Sequence, residues 1–369
     1  MTQREVATLR AGRFRPVVAA LLVAAVGAVA VLAGAGLAVG GCAGRGDGGT
    51  AAPGAIAPGL PPGGPAGGGS ASPAPSLLKG VSLSPRSFES DDFADFFVKA
   101  GEAGQIVTWA GDWNELSNMV SGAPRVLMEL ASGYGLLPVI EAQFFSQSTG
   151  RLLRPLTAET RKDYDGYAAA FAREFKPPYL GLGIEVNILH EKAPADFDAF
   201  VALFGEVYDA VKAESPETKV FTVFQLERMK ELGGGLFGGE NDPAAAQWAL
   251  LHRFPKLDLV AFTTHPLLVY KSPADIPADY YSAIRAHTQK PVAFTEVGWS
   301  SGTEPAGWES SEAEQAEFAR RFFELAAPCG PEMAVWSFMY DVRTVVPFNS
   351  MGLRRGDGTA RPAWDEWAK

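Results

Sequence analysis

The sequence predicts a (β/α)8 TIM barrel over residues 78–369, and two observations carry that prediction. Short apolar runs alternate with amphipathic helical stretches, which is the signature of parallel strands joined by crossover helices. There are eight such runs, and eight βα units over roughly 290 residues suit a fold that typically takes about 250. An open doubly wound sheet usually has fewer strands and often a glycine-rich phosphate turn after the first. Here the first strand is followed by "SPRSFESDD", which has no such turn.

The strands are expected at 79–84, 105–110, 136–144, 179–187, 219–226, 257–265, 291–297 and 333–340. Between them lie stretches with helical periodicity. Phe197, Phe200, Val201, Phe204, Val207, Tyr208 and Val211 recur at i, i+3, i+4 and i+7, and Tyr164, Ala168, Phe171 and Phe175 repeat the pattern. Ser311 with Glu314 reads as a capping box ahead of the stripe Phe318, Phe322 and Leu325.

The chain before the barrel is of another kind. Arg4, Arg10, Arg13 and Arg15 precede an uncharged run from Val17 to Val39, the layout of an export signal. The run ends in "LAVGGC", which resembles a bacterial lipoprotein signal with Cys42 as the lipidated residue. An uncleaved membrane anchor is the alternative, because the run is long enough to span a bilayer. Residues 1–42 are therefore assigned to export or anchoring, and either reading places the rest in the bacterial cell envelope, outside the cytoplasm. Residues 43–77 are mostly Gly, Pro, Ala and Ser, too poor in apolar side chains to fold, and read as a disordered linker.

Composition narrows the function. With Cys42 given to the signal, only Cys329 remains, so no disulfide framework exists within the chain. The four histidines are scattered without metal-ligand spacing; no metal and no cofactor are expected. A net charge of −10 argues against a nucleic-acid partner and favours a neutral substrate. A monomer is expected.

In a barrel the working residues lie at the C-terminal ends of strands and in the loops beyond. Those positions hold Arg86, Trp109, Trp113, Glu141, Gln143, Glu185, Asn187, Gln225, Glu227, His265, Glu296, Trp299, Trp336 and Tyr340. Five of the eight tryptophans fall at strand tips or on these loops, where flat faces suit the C–H faces of sugar rings. In strand four, a period of two places Gly181, Gly183, Glu185 and Asn187 on one face, the glycines leaving room beneath Glu185. In strand seven, Val292 and Phe294 share a face with Glu296. Both acids are thus expected over the barrel axis. Two carboxyls about 5–5.5 Å apart are the apparatus of retaining glycoside hydrolysis, one protonated and one ionised. The structural alternative is a pair of ion-paired glutamates, with Arg86 as a partner.

On these residues the chain resembles glycoside hydrolase clan A. "FTEVGWSS" is similar to the nucleophile strands of the endo-β-1,4-galactanase and endo-β-1,3-glucanase families, "LGLGIEVN" resembles their acid/base strand, and "AVWSFMYD" resembles the strand whose tryptophan, here Trp336, floors the site. The closing segment "GLRRGDGTARPAWDEW" is similar as well. The resemblance implies that Glu185 is the general acid/base and Glu296 the nucleophile, with Arg86, Trp109, Trp113, Gln143, Asn187, Gln225, His265, Trp299, Trp336 and Tyr340 about the substrate. The clan usually has Asn directly before its acid/base, binding the sugar 2-hydroxyl. This chain has Ile184 there, leaving Asn187 or Gln225 to take the role. Strand three carries Glu141 and Gln143 where some members have histidine.

The function expected is a retaining, endo-acting glycoside hydrolase on a β-linked poly- or oligosaccharide. The rival is a non-catalytic carbohydrate-binding barrel at the cell surface. His265-Pro266 is a candidate cis bond, and the glycine-rich stretch 230–243 is expected to form a mobile rim of the cleft.

Overall fold

A computed structural model of the chain describes residues 77–369. The export or anchor segment, Cys42 and nearly all of the linker lie outside the described residues. From Leu78 the chain forms a parallel sheet curled into a barrel with helices around it, as the alternation of apolar runs and helical stripes requires.

The sheet runs β5-β4-β3-β2-β1-β9-β8-β7-β6. Its strands are β1 (Leu78–Ser82), β2 (Ile106–Asp112), β3 (Leu137–Gln143), β4 (Tyr179–Leu182), β5 (Lys219–Phe221), β6 (Val223–Gln225), β7 (Val260–Thr264), β8 (Val292–Val297) and β9 (Pro331–Trp336). Nine strands make eight staves, because β5 and β6 are two halves of the single run expected at 219–226. Thr222 separates them: β5 pairs with β4 on one side and β6 with β7 on the other. The Thr222 hydroxyl and the Val223 N–H both donate to the Gly183 carbonyl at 3.1 Å, which completes the ring.

The principal helices are α1 (Ser90–Ala103), α2 (Ala123–Tyr134), α3 (Ala158–Phe175), α4 (Val186–Lys192), α5 (Pro194–Glu214), α6 (Leu226–Met229), α7 (Glu312–Ala326) and α8 (Pro362–Trp367). Each amphipathic stripe meets the barrel. Phe197, Phe200, Phe204, Val207 and Val211 of α5 are buried, as are Tyr164, Ala168 and Phe171 of α3. Ser311 caps α7 by accepting from the Glu314 N–H, and Phe318 and Phe322 bury beneath it.

Three sequence expectations need correction, and two of them concern where strand regularity ends. Strand four stops at Leu182 rather than reaching 187. Gly183 turns to φ +80° and Glu185 to φ 58°, so alternation does not carry through to Glu185. In strand seven, Phe294 does not share a face with Glu296. Phe294 points outward onto Tyr281 and Phe322 of the helical layer, and a bulge between Phe294 and Val297 resets the face that follows. His265-Pro266 is trans; among the described residues the cis bonds are Glu304-Pro305 and Val346-Pro347.

Phe322 ties this outer layer together, its ring 5.3 Å from Tyr281, 5.5 Å from Phe294 and 6.0 Å from Trp367. A fully buried aromatic truncated to Ala costs about 3–5 kcal/mol through lost transfer energy and the cavity left behind. Phe322→Ala is expected to lower the unfolding free energy by that amount in urea titration, whereas Val120→Ala at an exposed turn should leave it within about 0.5 kcal/mol.

Candidate active site

Four carboxyls are buried at the C-terminal end of the barrel: Glu141, Glu185, Glu227 and Glu296. Strand pairing sets the first. Glu141 lies opposite Ala110 of β2 and Gly181 of β4. Gly181 is required there, since a Cβ would come within 2.9 Å of the Phe221 ring and 3.1 Å of Glu141 Cγ. The glycine therefore makes room for Glu141, whereas Gly183 lies against Val186, Phe200 and Phe144 in the outer packing.

Glu185 heads helix α4 in the left-handed region, φ 58° and ψ 44°, a conformation that costs a non-glycine residue about 1–3 kcal/mol. Gln143 holds the turn leading into it: its Nε2 donates to the Ile184 carbonyl at 2.9 Å, and its Oε1 accepts from the Phe144 N–H. The Glu185 Oε1 accepts from the Thr263 hydroxyl at 2.7 Å. Burial raises its pKa to about 7; the Thr263 hydrogen bond opposes the rise, Glu227 adds to it and Arg228 opposes it.

Glu296 is brought to the same place by the bulge. Across β7 the register runs Phe262 to Phe294 and then Thr263 to Glu296, passing over Thr295. Glu296 thus lies opposite Thr263, the residue that hydrogen-bonds Glu185. Burial drives the Glu296 carboxyl well above its ordinary range, and the charges of Glu185 and then Glu141 push the same way. Its Oε2 has no hydrogen-bond partner.

The other two acids are more deeply set. Glu227 accepts from the Thr264 hydroxyl at 2.9 Å, the His265 N–H at 3.0 Å and the Tyr280 hydroxyl at 2.8 Å. Glu141 has no sound hydrogen bond to either oxygen, although the nearby Thr295 hydroxyl slightly counters the burial that raises it to about 8. Glu185 and Glu296 keep 4% and 8% of their surface open, while Glu141 and Glu227 keep none. Among the described residues, no group of three or more His, Cys, Asp or Glu is arranged to hold a metal ion.

Several residues read as substrate-binding are placed elsewhere. Trp113 stacks on Tyr164 of α3 at 4.8 Å, and Trp299 stacks on Phe318 at 5.1 Å with its Nε1 donating to Ser310. Trp336 packs on Phe318 and Trp367 and donates to the Met351 carbonyl, so it joins barrel to helices rather than flooring the mouth. Trp109 is buried with its ring over Gly111, on the face opposite that of Ala110 and Glu141. Arg86 is bound to Asp92 at 2.5 Å and lies over Tyr340, whose hydroxyl donates to Asp95. It pairs with neither Glu185 nor Glu296. His265 is neutral, its pKa lowered by burial to about 3, and faces Ser337 at 3.0 Å rather than the nucleophile position. Asn187 spends its amide on the Gln225 backbone, accepting from its N–H at 2.8 Å and donating to its carbonyl at 3.0 Å. Gln225 itself, with a free Oε1, remains beside Glu185.

No family model matches the chain, and no curated protein matches it. Solved structures do. A family 39 glycoside hydrolase from Bacteroides cellulosilyticus WH2 is 19% identical with a TM-score of 0.57, covering 79% of this chain and 62% of its own. An exo-β-1,4-mannosidase from Opitutaceae bacterium strain TAV5 is 17% identical with a TM-score of 0.56, covering 79% and 58%. A family 5 glycoside hydrolase from Streptomyces cattleya, solved with Manβ1-4GlcNAc, is 15% identical with a TM-score of 0.59, covering 79% of each chain. The likeness is one of fold. This chain spans about three fifths of the length of the first two. Its neighbours in fold are thus glycoside hydrolases of families 5 and 39, while the narrower resemblance to galactanases and β-1,3-glucanases rests on the sequence motifs.

Sequence reasoning passed over Thr263 and Thr295, the hydroxyls beside Glu185 and Glu141. The only available sign was their position at strand ends. It also left out Arg228, which stacks on the Phe237 ring at 4.2 Å at the rim, on the side of Glu185. The glycine-rich stretch folds back on itself through a Leu232–Asn241 bridge and leans on the 268–269 backbone and Trp308 at Gly235.

The raised carboxyls have a consequence for stability. A carboxyl whose folded pKa exceeds its unfolded value stabilises the fold fully below the unfolded value and loses that contribution as pH rises to the folded one. For Glu141 and Glu185 the window runs from about 4.5 to about 7–8. The denaturation midpoint should therefore fall between pH 5 and pH 8 at constant ionic strength, and Glu141→Gln should flatten part of that fall. A difference curve between wild type and variant that does not change with pH would show that these groups ionise freely.

Proposed function

We propose that this chain is a retaining glycoside hydrolase cleaving β-glycosidic bonds in a neutral poly- or oligosaccharide, with Glu185 as general acid/base and Glu296 as nucleophile. One observation carries the reading: of four carboxyls buried at the barrel mouth, these two stand at the ends of the fourth and seventh staves, the charge of Glu185 acts on Glu296, and both keep a little of their surface open to solvent. The likeness in fold to glycoside hydrolases supports the class.

The chemistry follows from the environments. Glu185, raised to about 7, donates its proton to the glycosidic oxygen as Glu296, in the fraction of molecules in which it is ionised, attacks the anomeric carbon. The bond to the leaving group breaks and a glycosyl ester forms on Glu296. Glu185, now ionised, takes a proton from the water that attacks the anomeric carbon, and the ester breaks with net retention. The Ile184 side chain cannot donate to a sugar hydroxyl, and Gln225 is the amide left to do so. Endo action, a monomeric state and attachment to the outer side of a bacterial membrane through residues 1–42, with residues 43–77 as tether, complete the proposal.

A non-catalytic carbohydrate-binding barrel is the second reading, favoured by Ile184 and by the absence of any hydrogen-bond donor on Glu296 Oε2. Turnover decides between them. On a panel of β-glucans, galactans and mannans, Glu296→Gln is expected to lower kcat by several orders of magnitude, and an activated fluoro-sugar should label Glu296. Azide should rescue Glu185→Ala on an activated substrate. Equal sugar release by wild type and Glu296→Gln would exclude the hydrolase, and labelling of Glu141 or Glu227 would reassign its nucleophile. Because Glu185 must be protonated to act, kcat/KM should decline as pH rises through about 7.

A further inference from the structure

Strands β7 and β9 are tied to each other across the end of β8, immediately beyond the residue read as nucleophile. The sheet order sets β8 between them, so the first residues past β7 and β9, His265 and Ser337, stand two strand spacings apart, about 9–10 Å between backbones. Their buried side chains close that gap: His265 Nε2 lies 3.0 Å from Ser337 Oγ. Ser337 Oγ is in turn 3.1 Å from the carbonyl oxygen of Val297, the residue after Glu296, and the Ser337 N–H donates to the same oxygen at 2.9 Å. A carbonyl can only accept, so the one hydroxyl hydrogen of Ser337 goes to Val297, and the His265 ring supplies the other hydrogen from its Nε2–H. The line of bonds crosses over Gly298. A Cβ on Gly298 would come within 3.3 Å of both His265 Cδ2 and Ser337 Oγ, and within 3.0 Å of Met351 Sδ. Glycine at this place in "TEVGW" therefore lets the bond pass. The His265 backbone is held as well, its N–H donating to Glu227 at 3.0 Å, and the Phe348 ring stands edge-on to the imidazole at 5.3 Å.

We propose that His265 and Ser337 form a strap over the end of β8 that fixes the backbone on which Glu296 sits, which makes both of them positioning residues for the nucleophile. This rests on the reading of Glu296 as nucleophile. Two features of its own strand leave Glu296 in need of such a device. It lies inside the bulge between Phe294 and Val297, where the ladder to β9 is interrupted, and its Oε2 has no hydrogen-bond partner to aim it. The direction of the side chain is then set by the backbone beneath it. Val297 is where the register resumes, opposite Thr264 of β7 and Trp336 of β9, and the strap bonds to its carbonyl. Without His265 the Ser337 hydroxyl is free to rotate off that carbonyl; without Ser337 the imidazole has no hold on β8. A displacement of about 1 Å at a reacting group costs on the order of a hundredfold in rate, so a bond that is remote from the sugar still governs the attack.

The test has two arms, both on the full chain. Nitrogen-15 NMR of the imidazoles should show the His265 proton on Nε2, and Ser337→Ala should shift that resonance. A proton on Nδ1 alone, or a spectrum unchanged in Ser337→Ala, overturns the proposal. The second arm is inactivation by the 2,4-dinitrophenyl 2-deoxy-2-fluoro-β-glycoside of the sugar released in the polysaccharide panel, with dissociation constant and labelling rate read separately. His265→Leu and Ser337→Ala should each slow labelling by at least about tenfold while the dissociation constant stays within about twofold. His265→Gln, which offers an amide N–H at similar reach, should recover most of the rate, and the double variant should be no slower than the worse single one. Phe171→Ala, which loses core packing in the helix joining β3 to β4, should label at the wild-type rate. Wild-type labelling in both His265→Leu and Ser337→Ala, or equal slowing in Phe171→Ala, overturns the proposal. Should His265→Leu fail to fold, the rates of Ser337→Ala and His265→Gln decide in the same way. Label away from Glu296, or none in wild type, would sink the nucleophile assignment, while the imidazole spectrum still reports whether the strap is made.

Discussion

Everything at the mouth of this barrel is shaped by carboxyl groups held out of water and, among the described residues, engaged in no salt bridge. An ionised carboxylate in such a place is prohibitively costly, and the usual escape is protonation. Glu141, Glu185, Glu227 and Glu296 are all raised by burial. What separates them is their immediate partners. Glu227 has three donors and is anchored; Glu185 has one and lies near Arg228; Glu296 and Glu141 are the least compensated. The differences arise from hydrogen bonding more than from depth.

The backbone makes the arrangement possible in three places. Gly181 leaves the volume that Glu141 occupies, Gly183 and the left-handed Glu185 turn the chain from strand four into a helix within a few residues, and the bulge in β8 rotates Glu296 away from the helical layer that holds Phe294. Glu185 and the bulge depart from regular strand geometry, Gly181 keeps it, and each of the three lies at or beside a carboxyl. Backbone strain that coincides with unusual protonation is the pattern expected where a fold gives up local stability for a functional site.

The aromatic residues follow a different logic. Trp299, Trp336 and Trp367 meet Phe318 and Phe322 between barrel and helices, and Trp113 clamps a turn onto α3. Large flat side chains near strand tips here hold the helical layer to the barrel, leaving the partly exposed Phe237 and Trp308 at the rim, each with a cation over its ring. Arg86 likewise serves a local network with Asp92, Asp95 and Tyr340.

The barrel itself was legible in the sequence, because strand and helix periodicities are local properties of consecutive residues and eight alternations leave few ways to bury both. The two glutamates at the ends of the fourth and seventh runs were legible for the same reason. What alternation could not supply was which way residues point after a strand loses its regularity. It placed Phe294 and Glu296 on one face and carried strand four through Glu185, whereas Gly183 and the bulge undo both. Nor could it separate a tryptophan that faces a sugar from one that faces a helix, since either is apolar and near a strand end. Local pattern thus determined the elements and the acids they carry. Only the closed ring decided which acids meet, because that depends on side chains more than a hundred residues apart competing for one dry volume.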